Sequence, residues 1–275
     1  ETGFIYLRNR YYDPSIGRFI TEDPVKDGDN WYVYCGNNPV NYWDPLGLEY
    51  VVVSGGEYKK DRGGDYNYEF IEPAIKKLQE LKDLKDGENI TWIIANEGWT
   101  DSDREKFSEV AENIGVSIKY ITDKQELFDY INSKDDNTRY KDKIKKFVVF
   151  SHGLATNGGT ISLGYNYSSE YNTSLNIDKN DIKKYLWATA FDNPNTALYS
   201  CNLATAGNDS FAQEWVNKFG GKTWAFVNRS EYSNINIGFH PAIVASRKLH
   251  GFSYYGSAHY PTLGNNATFN LYTSR

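Results

Sequence analysis

FVVFSHG at residues 147–153 and ALYSCN at residues 197–202 decide the fold of this chain. Each is a short apolar run ending on a reactive side chain, His152 in the first and Cys201 in the second. Apolar runs this short, bounded by glycine and polar positions, read as buried strands, and strands separated by helical stretches build a parallel sheet. Functional groups of such sheets gather where the strands end, because the loops leave there into one crevice. Adjacent strands lie about 4.8 Å apart, so an imidazole and a thiol at neighbouring ends can share that crevice.

The same alternation continues on both sides. Tyr50–Val53, Ile90–Ala95 and Ile118–Ile121 read as strands, and Thr223–Val227 as another. Phe70, Ile71, Ala74, Ile75, Leu78 and Leu81 recur at helical spacing, with Pro73 tolerated in the first turn. Thr100 caps a helix with the stripe Phe107, Val110, Ala111 and Ile114, stopped by Gly115. Thr122 with Gln125 reads as the capping box of a helix carrying Leu127, Phe128 and Ile131, followed by a charged loop to about Lys146. Between the two decisive runs lie a glycine-rich loop, the strand-like Ile161–Leu163 and a helix opening at Asp178. A helix with Phe211, Ala212, Trp215, Val216 and Phe219 follows Cys201 and ends at Gly220 and Gly221. The last 40 or so residues lack a clear period and read as irregular or antiparallel strands. The fold class is α/β, a layered sandwich around a largely parallel sheet.

Composition limits the function. The net charge of -6 divides into 4 - 7 = -3 over residues 1–48 and 26 - 29 = -3 over the rest, so neither part has the basic excess of a phosphate-backbone binder. That balance argues against nucleic acid as a partner. Two cysteines, Cys35 and Cys201, are too few for a disulfide framework. No stretch approaches the 18 or so apolar residues of a membrane span. The chain has no methionine, even at position 1, which implies a piece of a longer polypeptide.

The first 48 residues carry a different signature. TGFIYLRNRYYDPSIGRFITEDP leads to NNPVNYWDPLGL at Leu48, and this pattern of YYDP, GRF, DP, NNP and DPxGL resembles the end of the Rhs/YD-repeat core of bacterial polymorphic toxins. The resemblance implies a short β-rich segment closing a repeat shell, with residues 49–275 as the toxin cargo. It also implies autoproteolysis after Leu48, with Asp23 and Asp44 as an acid and base pair. Lys26 stands where that family usually has glycine. Read from the residues alone, Asp13, Asp23 and Asp44 are turn residues ahead of proline, and Cys35 is a packing residue. Secretion, delivery into a target-cell cytoplasm, a cognate immunity protein and the Rhs shell of the parent polypeptide are further implications of the resemblance.

A second resemblance covers roughly residues 145–230. FVVFSHG, ISLG and ALYSCNLATAGNDSFAQEW look like the caspase-like cysteine peptidases, in which one strand ends in His-Gly and the next core strand in the nucleophilic cysteine. It implies a caspase-like three-layer sandwich and a cysteine endopeptidase acting on target-cell proteins. Cys201 is then the nucleophile, His152 the acid and base, and the amides of Gly153 and Cys201 the oxyanion hole. A lone strand-end cysteine is more often packing than nucleophile, but the pairing with His-Gly favours catalysis. The rival readings are a binding module of the same fold and a non-protease cargo such as a nuclease. No P-loop, GxGxxG, HExxH or CxxC pattern occurs, so no cofactor or metal is expected, and His240, His250 and His259 read as structural or surface residues.

Overall fold

A computed structural model describes residues 3–7, 10–21, 48–57, 68–134, 137–164, 173–232 and 259–274. Asp23, Asp44, Lys26, Cys35, His240 and His250 lie outside the described residues. The chain divides into two compact units, Glu1–Gly47 and Leu48–Arg275. The first contains β1 (Ile5–Leu7), β2 (Arg10–Asp13) and β3 (Arg18–Phe19), an antiparallel sheet in that order. Asp13 makes the turn between the last two strands. Its carbonyl accepts from Gly17 N at 2.9 Å, and its carboxylate accepts from Ser15 N at 2.8 Å and Ser15 Oγ at 2.6 Å.

The second unit runs in chain order through β4 (Leu48–Ser54), α1 (Glu72–Asp83), β5 (Asn89–Ala95), α2 (Asp101–Ile114), β6 (Ser117–Ile121), α3 (Lys124–Ser133) and β7 (Lys143–Phe150). It continues with β8 (His152–Leu154), β9 (Thr160–Ser162), β10 (Asn176–Asp178), α4 (Lys179–Tyr185), β11 (Phe191–Tyr199), α5 (Phe211–Phe219) and β12 (Lys222–Val227). Last come β13 (Ser230–Glu231), β14 (Thr262–Leu263) and β15 (Thr268–Thr273). Seven of these strands form the central sheet in the order β15-β12-β11-β7-β4-β5-β6. All its pairs are parallel except β12 with β15. Among the described residues the unit is thus mixed α/β with a mostly parallel sheet and five α-helices.

The alternation of side chains across β4 shows how the layers form. Val51 and Val53 point into a core with Phe128 of α3, Ile182 of α4 and Trp215 of α5. Tyr50 and Val52 point into the opposite core, with Ile75 and Leu78 of α1 and Phe107 of α2. Burial on both faces is why the central strands are continuous apolar runs. The small antiparallel sheet β10-β9-β8 adds Ile161 and Ile177 to the first of these cores.

Three boundaries differ from expectation. β7 begins at Lys143, inside the expected charged loop, because Ile144 is fully buried and Lys146 lies over the Tyr50 ring, 4.2 Å from its centroid. β11 begins at Phe191, and a register shift between Phe191 and Asn195 absorbs the polar residues between them. The cap of α3 is Asp123, which accepts from Glu126 N at 3.0 Å, while Thr122 N donates to Glu126 Oε2 at 2.6 Å. Gln125 bonds Asp129 instead. Caps at Thr100, Asp178 and Ser210 open α2, α4 and α5.

Candidate functional site

Phe150 and Tyr199 are direct partners at the ends of β7 and β11, so His152 and Cys201 both stand two residues beyond one paired position. The structure brings them to the same carboxyl edge of the sheet. Phe150 and Tyr199 stack with centroids 4.8 Å apart, and beyond them two fully buried hydroxyls join the strand ends. Ser151 Oγ lies 2.9 Å from Ser200 Oγ and donates to the His152 carbonyl at 2.9 Å, so Ser200 supplies the proton between the two hydroxyls. Burial, and then the charge of Glu80, pushes the Tyr199 hydroxyl up to about 12.

Gly153 marks the closest approach. A Cβ there would lie 1.9 Å from Cys201 O and 2.6 Å from Cys201 N, so only glycine lets the two loops touch. The loop after β9's partner strand repeats this device at Gly159, where φ is +115° and a Cβ would lie 2.9 Å from Leu203 Cα. On the other side, Asn202 N donates to Asn228 O at 2.7 Å and Ala204 N to Phe226 O at 3.0 Å, tying the cysteine loop to the end of β12.

His152 is half-buried, its ring edge-on to Phe70 at 4.9 Å, and Phe70 meets Tyr232 at 5.1 Å. Cys201 is a half-buried free thiol. Its sulfur lies 3.3 Å from Ser230 Oγ and 3.7 Å from Ser230 O. The imidazole of His152 is not among the hydrogen-bond partners of the thiol. Ser230 is therefore a site residue that the sequence did not announce. A single serine after a strand carries no spacing signal, and attention there falls on the charged Arg229 and Glu231 beside it. Tyr232, whose hydroxyl donates to Tyr199 O, was equally silent.

Among the described residues no three His, Cys, Asp or Glu side chains converge as metal ligands, and no helix is long and apolar enough to cross a membrane. His259 is exposed. Leu48 opens β4 and pairs with Lys143.

No protein-family profile matches the chain, and no solved structure does. Short stretches of known proteins do. The tRNA nuclease WapA of Bacillus subtilis strain 168 is 46% identical over 63 residues, 20% of this chain and 3% of WapA. The double-stranded DNA deaminase toxin A of Burkholderia cenocepacia is 49% identical over 50 residues, 18% of this chain and 3% of the toxin. An uncharacterized Escherichia coli protein, YlbH, is 55% identical over 55 residues, 20% of this chain and 23% of YlbH. The chain spans less than a quarter of the length of each of these relatives.

These findings correct the expected cysteine endopeptidase. The toxins with which the chain shares sequence are named for a nuclease and a deaminase, not a peptidase. The expected protein substrate and the expected lack of a nucleic-acid partner have no support in these findings.

Proposed function

We propose that this chain is the C-terminal end of an Rhs-type polymorphic toxin. Residues 1–48 close its scaffold, with Asp23 and Asp44 acting at the Leu48 cut, and residues 49–275 are a non-protease toxin that acts on nucleic acid. The scaffold of that toxin is a caspase-like three-layer sandwich, and its site is the carboxyl edge where His152 and Cys201 converge. The support for the class is the sequence shared with toxins named for tRNA and double-stranded DNA. The shared stretches of 63 and 50 residues are shorter than the Leu48–Arg275 unit, so the chemistry rests on the site itself.

The observation that carries the site is the register of Phe150 with Tyr199, which sets an imidazole and a thiol beyond the same edge. An imidazole there serves as general acid and base for attack on a phosphodiester or a base. The rigid floor of Ser151, Ser200 and Gly153 holds its backbone in place. Such a toxin is delivered into the cytoplasm of a target cell, and the producer needs a cognate immunity protein.

The test is incubation of the full chain with a tRNA pool and with duplex DNA, followed by gel analysis for strand cuts and sequencing for altered bases. The expected result is damage to one of them that disappears in His152→Ala. A chain that kills cells, leaves both nucleic acids unaltered and cuts cell proteins in a Cys201-dependent manner overturns the reading.

The acidic balance of residues 49–275 and the engagement of the thiol by Ser230 favour a second reading, a binding module that sequesters its target. Toxicity that survives both His152→Ala and Cys201→Ala distinguishes it.

A further inference from the structure

At the opposite edge of the sheet, the start of β4 holds a buried ionic cluster. Glu49 is 0% exposed and Arg139 2%. Both oxygens of the Glu49 carboxylate are engaged: Oε2 by Arg139 Nη1 at 2.5 Å, and Oε1 by Thr91 Oγ1 at 2.5 Å and Tyr130 Oη at 2.6 Å. Arg139 is fixed in turn, donating to Asp142 O at 2.6 Å and to Tyr130 O at 3.0 Å. Burial, and then the Glu49 charge, pushes the Tyr130 hydroxyl up, so it remains a donor to the carboxylate. Glu49 also pairs with Ile144 on one side and Asn89 on the other, and Leu48 pairs with Lys143. The Leu48–Glu49 peptide bond thus joins the first two residues of β4, Leu48 paired with β7 alone and Glu49 with β7 and β5, and a register shift follows between Glu49 and Tyr50.

Hydrolysis of that bond adds hydroxide to the Leu48 carbonyl carbon and a proton to the Glu49 nitrogen, and the new carboxylic acid then passes its proton to the new amine, leaving a carboxylate and an ammonium. A cleft that performs it must take several residues on each side of the bond in extended, unpaired form, and those that follow it, from Glu49 on, are paired on both sides in the folded domain. To open, Glu49 must leave Arg139 as an unpaired buried charge, and breaking such a pair suppresses the open state by about a hundredfold or more.

We propose that Glu49 is a clasp: seated on Arg139, Thr91 and Tyr130, it closes β4 over the Leu48–Glu49 bond. The bond is therefore cut before the domain folds, and the folded domain holds its first residue fast afterwards. The order of events, cut and then fold, is built into the residue that follows the DPLGL motif. This inference rests on the reading of residues 1–48 as a processing segment.

The test uses the full chain and an added chymotrypsin-type protease that cuts after leucine, with fragments identified by mass spectrometry. Folded wild type is expected to be cut at Leu48–Glu49 at least about a hundredfold more slowly than the same chain in denaturant. Tyr130→Phe keeps the ring and removes one bond to the carboxylate, and is expected to speed the cut about tenfold, with cuts elsewhere in the domain unchanged. Amide exchange at Glu49 and Tyr50 should rise in the same variant while that at Val52 does not. Equal cutting of folded and unfolded wild type, or no response to Tyr130→Phe in either measurement, overturns the clasp. The processing reading is tested separately by the first residue of the fragment released from the intact parent polypeptide. A start other than Glu49 rejects that reading and leaves the proteolysis result standing.

Discussion

Replacing Gly153 by alanine probes the contact on which the site is built. The added Cβ would lie 1.9 Å from Cys201 O, 2.6 Å from Cys201 N and 2.8 Å from Cys201 C, all backbone atoms. Ordinary contact begins near 3.4 Å, so the His152 and Cys201 loops must separate by 3.4 - 1.9 = 1.5 Å. Neither loop yields easily, since Ser151 bonds Ser200 below them and Asn202 N bonds Asn228 O beside them. Overpacking of a tight site costs about 1–3 kcal/mol, and a backbone clash this short belongs at the upper end, about 3 kcal/mol. For a unit of this size that lowers Tm by roughly 6–12 °C. The assay is urea unfolding of the full chain, with Gly207→Ala as the control. Gly207 has nothing within 4 Å of its Cβ position, so the control bears only the strain of its φ of +58°, about 1–2 kcal/mol. The expected result is a larger loss of midpoint in Gly153→Ala at unchanged slope, together with loss of activity. A Gly153→Ala chain as stable and as active as wild type refutes the argument that these two loops are in contact.

Three further outcomes follow from the same geometry. Phe147→Ala removes a buried ring stacked 4.9 Å from Trp215 and should cost about 3–5 kcal/mol in denaturant unfolding, far more than any exposed aromatic. Thr100→Ala breaks the capping box of α2, in which Asp103 N donates to Thr100 Oγ1 at 3.2 Å and Thr100 N to Asp103 Oδ2 at 3.1 Å, and should cost about 1 kcal/mol. Acid should destabilise the second unit. Burial opposes the Glu80 charge, but hydrogen bonds from Lys77 and Tyr260 outweigh it and hold the carboxyl below its usual range. Burial likewise opposes the Asp103 charge and is outweighed by bonds from Thr100 and Tyr68. Depressed folded values contribute stability above the unfolded pKa of about 4, lost as pH falls through the lower folded values. Thermal melts between pH 6 and pH 2 should therefore show a steeper acid limb in wild type than in Glu80→Gln, and identical limbs would discount the Glu80 contacts.

The apolar runs at residues 50–53, 90–95 and 147–150 were legible as strands because they are buried on both faces, which removes polar residues from them. The entries of β7 and β11 were not. Lys143, Lys145 and Lys146 look like loop, yet Ile144 is buried between them and a lysine can cover an aromatic ring while keeping its charge in water. Asp192 to Asn195 looks like a turn, and it is a two-residue irregularity of register inside a strand, with Asn193 at a φ of +42°. β15 was legible only as a possible antiparallel strand, since it lies at the sheet edge and its residues are mostly exposed.

The site divides in the same way. His152 and Cys201 were readable because strand ends in a parallel sheet are special positions. The thiol's own contact was not readable, because Ser230 comes to it from 29 residues along the chain. Glu49 stood in plain view after the DPLGL motif, but its partners Thr91, Tyr130 and Arg139 lie 42, 81 and 90 residues away. No local pattern assembles such a cluster. The total charge over residues 49–275 says nothing of the field at one edge of the sheet.

The measurement closest to the central claim is sequencing of total RNA and DNA from cells expressing the full chain, set beside cells expressing His152→Ala at equal level. The account predicts cut or altered nucleic acid early after induction of wild type and none with the variant. Intact nucleic acid in dying wild-type cells, or damage undiminished by His152→Ala, would contradict it.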